Sequence, residues 1–426
     1  MTRRTRRFGA VLAAVILGLS GCGSTSGNDL DPAASPGVTK KPCPHAVNAG
    51  HGCIYLGSLS DLTVGPFTPI AVPSVQAQQA FWRRVNEQGG IGGYDIDVTT
   101  YLRDNRYDVA TQKQQYQAIK DKVLAFAQTL GSPQTAAILP DLRASKTIAV
   151  PLSWTSQWSF EDNILESGAS YCFESMNAVD YAVDTYRIRS IMALHYPGDY
   201  GGDAAAGAKI AARARRLPFT DQPTGQGKDK QAAAVNALIK GKPDLVILTT
   251  GPADAGTIVA QAYARGFRGH YVGTGPSWSK ELLSGPAGPA LKEQFLVSAP
   301  WKPFATDSPG HSAMRKALGH IDSSDSYTSG WAFSYPLKAV LQKAAANKEL
   351  TRAGVFKAAK GITKIDYEGI LPAQAGNFTG APNTGAFRQT VIDRPATAEY
   401  TGVKVVKDFF TGPTAQAYDL KAPCYR

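Results

Sequence analysis

The stretch from residue 53 to 101, CIYLGSLSDLTVGPFTPIAVPSVQAQQAFWRRVNEQGGIGGYDIDVTTY, constrains the fold more than any other part of the chain. Residues 54–56 form a short apolar run that opens onto Gly57-Ser58-Leu59-Ser60-Asp61, and Gly65-Pro66 punctuates the loop before a helix can start. From Ser74 onward Val75, Phe81, Trp82 and Val85 recur at helical spacing, with Gln76, Gln78, Arg83, Arg84 and Glu87 on the other face. Gly89-Gly90 ends this helix, and Gly92-Gly93 turns the chain into a second strand over 96–101. Strand, helix and strand joined by one crossover favour parallel pairing, and in such sheets ligands bind where loops leave the carboxyl ends of the strands. Many α/β domains with glycine-rich turns share this order, so it sets the fold class and leaves function open.

The first 22 residues bear on compartment. MTRRTRRF is a basic leader, residues 9–19 form a short apolar core, and Leu19-Ser20-Gly21-Cys22 follows directly. This order resembles a bacterial lipoprotein signal, in which small residues precede the cleavage point and the new terminal thiol, here Cys22, carries the lipid. The core is shorter than the roughly 20 residues of a permanent span. Arg6-Arg7 is followed by Phe8-Gly9-Ala10, a poor fit to a twin-arginine signal. Removal of the leader takes away four arginines and no acid, so the formal charge falls from +11 to +7. The remaining Lys and Arg are scattered, with short clusters such as residues 213–216, and no aromatic-interleaved basic run suits nucleic acid.

Five cysteines fit an oxidising compartment. With Cys22 reserved for lipid, Cys43, Cys53, Cys172 and Cys424 form an even set with three possible pairings. Cys43 and Cys53 flank a loop rich in Pro, His, Asn and Gly and are the natural local pair; Cys172 with Cys424 would then tie the end of the chain to its middle. A zinc site using His45 and His51 is the competing use, disfavoured because no close CxxC knuckle supplies it.

Residues 23–52 read as a flexible tether, polar and proline-rich from Gly23 to about Pro44. The remaining length exceeds one ordinary core and implies two domains. Buried strands are expected at 123–129, 147–152, 190–195, 244–249 and 270–273. Helices are expected at 107–120, 134–144, 203–215, 228–240, 254–265, 308–321, 330–347 and 352–360. There is no HExxH, no GxSxG and no phosphate-binding loop, so no enzymatic chemistry is indicated.

Several motifs occur in a telling order: Leu59-Ser60-Asp61-Leu62 with Gly65-Pro66, then Val85-Asn86-Glu87-Gln88-Gly89-Gly90-Ile91-Gly92-Gly93, then Gly131-Ser132-Pro133-Gln134-Thr135 and Pro151-Leu152-Ser153-Trp154-Thr155. His195-Tyr196-Pro197-Gly198-Asp199-Tyr200-Gly201, Lys242-Pro243-Asp244-Leu245-Val246, Ala264-Arg265-Gly266-Phe267 and Val272-Gly273 follow. Over about residues 53–341 the chain resembles the type I periplasmic solute-binding proteins of the branched-chain amino acid class, the extracytoplasmic receptors of ABC importers. The resemblance implies an α/β fold of two Rossmann-like lobes with parallel central sheets joined by hinge strands. Residues 53–175 plus 300–390 would form one lobe, and 176–299 plus 391–426 the other. Cys172 would lie near a hinge. The implied partners are a small-molecule ligand, the permease and ATPase subunits of an importer, and the membrane through the lipid on Cys22. A monomer without cofactor or metal is expected.

The resemblance also implies a site. Ligands of this family commonly present a carboxylate to hydroxyls and backbone N–H groups of the first lobe, which points to Ser132, Gln134, Ser153 and Thr155. Pro133 departs from that pattern because it has no N–H. Where amino acid binders of the family supply an aromatic residue and an ammonium-binding carboxylate, this chain has Thr250-Gly251-Pro252 and Thr274-Gly275-Pro276. An ammonium buried without a counter-charge costs on the order of several kcal/mol, so an ordinary amino acid requires Asp61, Asp199 or Asp254 to substitute. Phe67, Trp154, Trp158, Tyr200, Trp278 and Trp331 fall on or beside expected cleft loops and suit an aromatic or apolar ligand. The expected ligand-contacting set is therefore Phe67, Ser132, Gln134, Ser153, Trp154, Thr155, Tyr200, Gly251, Gly275, Trp278 and Trp331. His195, at the end of a strand, is read as a hydrogen-bonded structural residue. The readings that follow are an importer receptor for a carboxylate-bearing solute, a sensor of the same fold signalling to a membrane receptor, and an amino acid binder with an unusual ammonium site.

Overall fold

The computed structural model describes residues 35–425. Cys22, the leader and the first part of the tether lie outside the described residues. The chain is mixed α/β, with two sheets of largely parallel strands.

The first sheet is built on β2 (Gly52–Ser60), which follows β1 (Val38–Thr39) in the chain and precedes β3 (Tyr94–Asp104), β4 (Ala125–Leu130) and β5 (Ala149–Leu152). β2 pairs in parallel with β3 on one side and with β4 on the other, and β5 continues beyond β4. β1 runs antiparallel against the start of β2, with Val38 opposite Ile54. Residues 35–52 are therefore folded onto the first sheet, and the expected tether is shorter than 23–52. The reason is local chemistry: Cys43 is bonded to Cys53, and the buried Asp95 carboxylate accepts hydrogen bonds from the Val47 and Asn48 N–H groups at 2.7 and 2.9 Å. With both thiols joined, the zinc alternative loses two donors, and His51 faces Asp95 at 3.2 Å.

Helix α1 (Thr68–Glu87) starts six residues before the periodicity indicated. Pro69 lies in the first turn, where a missing N–H costs nothing, and Pro73 inside the helix hid its beginning. Asp61 fixes the entry, because its carboxylate accepts from Gly65 N at 2.8 Å, Phe67 N at 3.0 Å and Thr68 Oγ1 at 3.0 Å. Helix α2 (Val109–Ile119) is capped by Asp108, whose side chain accepts from Thr111 N. The single helix expected over 134–144 is divided into α3 (Ser132–Ala136) and α4 (Leu139–Ala144), with Pro140 in the first turn of α4.

The second sheet holds β6 (Ile191–His195), β7 (Phe219–Pro223), β8 (Leu245–Thr249), β9 (His270–Thr274), β10 (Phe295–Ala299), β11 (Thr390–Pro395) and β12 (Val403–Phe410). Its order is β12-β11-β10-β9-β8-β6-β7; β7, β6, β8, β9 and β10 are mutually parallel, and β11 and β12 are antiparallel additions. Successive side chains alternate between faces. Ile191, Leu245, Ile247 and Val272 pack against α5 (Tyr171–Tyr186) and α6 (Asp199–Ala214). Met192, Leu194, Val246 and Leu248 pack against α7 (Ala232–Gly241) and α8 (Pro252–Ala264). Burial on both faces explains why these strands read as continuous apolar runs. Cys172, Phe173 and Met176 of α5 pack on this sheet, whereas Tyr171 belongs to the core of the first lobe, so α5 begins where the two lobes meet.

After β10 the chain returns to the first lobe. The helices Tyr327–Ala332 and Ser334–Ala346 bring Trp331, Leu337 and Val340 into one core with Phe81 and Trp82 of α1. Contact between α1 and the first of these is so close that a Cβ on Gly330 would sit 1.8 Å from the Ser74 carbonyl oxygen. Cys172 and Cys424 form the second disulfide, across 252 residues. Gly330→Ala must push two helices apart and is expected to lower stability by about 2 kcal/mol. Urea unfolding checks this; an unchanged midpoint would show that the helices do not depend on that contact.

Candidate functional site

The strand ends that face each other across the two lobes enclose a cavity of about 70 Å³. Its wall includes Phe67, Ile70, Tyr107 and Ser132 from the first lobe, Trp154 and Tyr171 from the connection, and Tyr200, Gly275 and Trp278 from the second. The lining carries seven aromatic side chains among serines and aliphatic residues. Phe67, fixed by Asp61, packs edge-on against Tyr107 and Tyr200 with centroids 4.7 and 5.7 Å apart, and lies 6.4 Å from Tyr196. Trp154 is set against Tyr171 at 4.8 Å and Trp301 at 5.0 Å. The Tyr200 hydroxyl lies 2.9 Å from Thr274 Oγ1, which orients its ring.

The lobes touch at several points. Gly251, at the start of α8, faces the Pro66 carbonyl, and a Cβ there would lie 3.0 Å from that oxygen and 3.1 Å from the Tyr196 hydroxyl. Lys280 Nζ donates to Ser323 Oγ at 3.1 Å and to the Tyr400 carbonyl at 2.7 Å. Asp203 of α6, fully buried, accepts from Ser156 N at 2.9 Å and Cys172 N at 3.0 Å.

Three polar side-chain atoms of the wall are buried without a hydrogen-bond partner: Ser132 Oγ, Ser153 Oγ and Trp278 Nε1. Each is a donor, and a buried donor left unmade costs about 1–3 kcal/mol. The Trp154 indole is different, since its Nε1 donates to Glu174 at 2.5 Å. Burial pushes the Glu174 carboxyl well above the ordinary range, with the Trp154 bond pulling the other way. At its other end the cavity meets Lys280, Ser324, Asp325 and Ser326. The wall thus combines neutral donors with one cationic and one acidic side chain, Lys280 and Asp325.

Of the eleven expected contacts, seven line the cavity: Phe67, Ser132, Ser153, Trp154, Tyr200, Gly275 and Trp278. Gln134 does not, because its Nε2 turns away to donate to the Tyr107 carbonyl at 2.8 Å. Thr155 is buried behind the wall, where its carbonyl accepts from Trp158 N. Gly251 lies at the seam between the lobes. Trp331 belongs to the first-lobe core, against Phe81 at 5.1 Å and bonded through Nε1 to the Tyr335 hydroxyl at 3.0 Å. Trp158 supports the wall from outside by donating to the Ser153 carbonyl at 3.0 Å. His195 is held between the Tyr196 carbonyl at 2.7 Å and Asp221 at 2.8 Å.

The candidate substitutes for an ammonium partner are otherwise engaged. Asp61 shapes the entry to α1, and Asp254 accepts from the Tyr196 hydroxyl at 2.6 Å and Gly227 N at 2.8 Å. The Asp199 side chain lies outside the described set. The reading of the sequence missed Tyr107, Tyr171, Lys280, Trp301 and Asp325. Ser170, which caps α5 by accepting from Phe173 N, was the one local signal that could have drawn Tyr171 to notice.

A family model described as periplasmic binding protein matches residues 54–393. A search of curated proteins finds no match to the sequence. Among solved structures, the chain is similar to a fatty acid ABC transporter substrate-binding protein from Thermomonospora curvata, with 28% identity and a TM-score of 0.83 over 92% of this chain and 98% of that one. It is also similar to a branched-chain amino acid ABC transporter protein from Thermus thermophilus with bound valine, at 18% identity and a TM-score of 0.73 over 86% and 98% of the two chains. A leucine binding protein from Thermotoga maritima gives 14% identity and a TM-score of 0.68 over 84% and 99%. The two less identical structures bear on fold alone.

The outer end of the cavity carries a titration that can be checked. Burial raises the Asp325 carboxyl to about 6, against the lowering effect of the hydrogen bond from Phe304 N. The folded chain therefore holds this proton more tightly than the unfolded chain, so the stabilisation is complete below about pH 4 and is lost as pH rises through 6. Asp325→Asn is expected to flatten the fall in stability across that window. Denaturant midpoints at stepped pH values measure it, and equal slopes for both proteins would remove Asp325 as the cause.

Proposed function

The chain belongs to the periplasmic binding protein family, and we propose that it is the extracytoplasmic receptor of an ABC importer, taking a carboxylic acid with an apolar or aromatic body between its lobes. The observation that carries this reading is the set of buried, unpartnered donors on Ser132, Ser153 and Trp278 in a wall rich in aromatic side chains. A carboxylate accepts from several donors at once, and such charge-assisted bonds are the stronger kind. Ile70, Trp154 and Trp301 then surround the apolar body, where burial of carbon surface supplies affinity. The similar protein from Thermomonospora curvata is described as a fatty acid receptor, which supports the same ligand class.

The lipoprotein reading belongs to the same proposal. Cys22 holds the receptor to the outer face of the cell membrane, and no helix among the described residues is long and apolar enough to cross a membrane. Ligand binding brings the lobes together through the hinge, and the closed form is what the permease reads. The receptor acts as a monomer and catalyses no reaction.

One observation favours a second reading. Asp325 places a carboxylate in the outer wall, where an ammonium group could find a counter-charge. A thermal-shift screen with octanoate, benzoate and leucine separates the two. Octanoate or benzoate is expected to stabilise the protein most, and single Ser132→Ala or Ser153→Ala changes to weaken that binding by about tenfold. A largest shift with leucine would favour the amino acid reading, and no shift with any of them would overturn the proposal.

A further inference from the structure

The inner cavity has a neighbour. Three of its residues, Pro69, Ser279 and Ser324, also line a second and larger cavity of about 900 Å³. That outer groove runs along the seam between the lobes. One wall is the first half of α1, with Val72 and Pro73; the other is α8, with Ala253, Gly256 and Ala260, backed by Leu282. Most of these side chains are small and apolar, and Val72, Pro73, Ala260 and Leu282 are only half-buried. Charged groups enter only as Lys228, Glu281 and Asp322.

The two cavities differ in chemistry. The inner one holds the unpartnered donors and the aromatic side chains, whereas Val72, Pro73, Ala253, Ala260 and Leu282 present carbon from both walls of the groove. The buried donors of the inner cavity suit a head group that needs hydrogen bonds, and the apolar side chains of the groove suit a tail. A carboxylate is further disfavoured at the junction by Asp325, and Lys280 there already has two acceptors.

We infer that the ligand is a long-chain carboxylic acid whose alkyl chain leaves the inner cavity past Pro69 and Ser279 and lies in the groove between α1 and α8. This rests on the carboxylic acid reading and adds the length of the ligand and the path of its tail. The shared wall residues select the occupant, because a tail emerging beside Pro69, Ser279 and Ser324 meets this groove first. The groove walls come from different lobes, so a chain lying in it touches both. Tail length is therefore coupled to lobe closure, and a longer chain holds the lobes together more firmly.

The test is a calorimetric titration of the full chain with octanoate and hexadecanoate below their aggregation concentrations, on wild type, Ala253→Trp and Ala260→Trp. Both alanines lie on the groove side of α8, away from the inner cavity, and circular dichroism verifies that each variant is folded. Each methylene buried strengthens binding by about fourfold, so hexadecanoate is expected to bind wild type at least tenfold more tightly than octanoate. Each tryptophan is expected to remove most of that advantage and leave octanoate binding unchanged. Octanoate binding with no gain for the longer acid, or tryptophan variants that keep the full gain, overturns the groove and leaves the carboxylic acid reading intact. Failure of both acids to bind wild type overturns both.

Discussion

A single buried carboxylate joins the parts on which the cleft depends. Asp203 extends from α6 of the second lobe and accepts N–H groups from Ser156, in the loop after β5, and from Cys172, in the first turn of α5. Ser156 also donates its hydroxyl to Asp203 and accepts from Cys424 N at 2.8 Å. One fully buried acid thus gathers the end of the first sheet, the first helix of the second lobe and the tail of the chain. Hydrogen bonds of N–H groups to an ionised acceptor are shorter and stronger than neutral ones, and a helix amino terminus favours negative charge. The disulfide between Cys172 and Cys424 locks two of these parts, α5 and the tail, covalently. The Trp154 carbonyl accepts from Tyr171 N at 2.8 Å beside this knot, and the geometry of the inner wall follows from it.

Much of the fold was legible because its strands are buried on both faces. The apolar runs that became β6, β8 and β9 have few alternatives in a chain with regular helical stretches between them. β11 and β12 were not read. Both pair antiparallel, and β12 follows buried Val403 with exposed Lys404, half-buried Val405 and exposed Lys407, without a clear apolar run. β10 was missed as well, and with it Trp301, which follows that strand. The start of α1 was hidden by Pro73, a residue that argues against helix in sequence and is tolerated here near the first turns.

Site residues divided on physical lines. Phe67, Ser132 and Ser153 were readable because each follows the end of a strand visible in the sequence, and in a parallel sheet those ends face the cleft. Trp331 was misread because helical periodicity says that a residue faces something, and not what it faces. Its side chain closes the core between α1 and the helix Tyr327–Ala332. Gln134 and Thr155 sit beside true wall residues, but a change of one or two positions in a turn reverses the direction of a side chain. Asp325 lies in a turn and Lys280 at the start of a short 3-10 turn, neither with a periodic signal, so only the folded chain brings them to the cavity.

The second sheet has two open edges, and both are poor templates for another strand. β7 ends in Asp221-Gln222-Pro223, and proline cannot donate to a neighbour. β12 shows Lys404, Lys407 and Asp408 to solvent. Charged side chains and proline are the usual guards against edge-to-edge pairing. Copies of this chain brought side by side would thus meet charged side chains and proline at both edges, where a free run of donors and acceptors would let one sheet extend into the next.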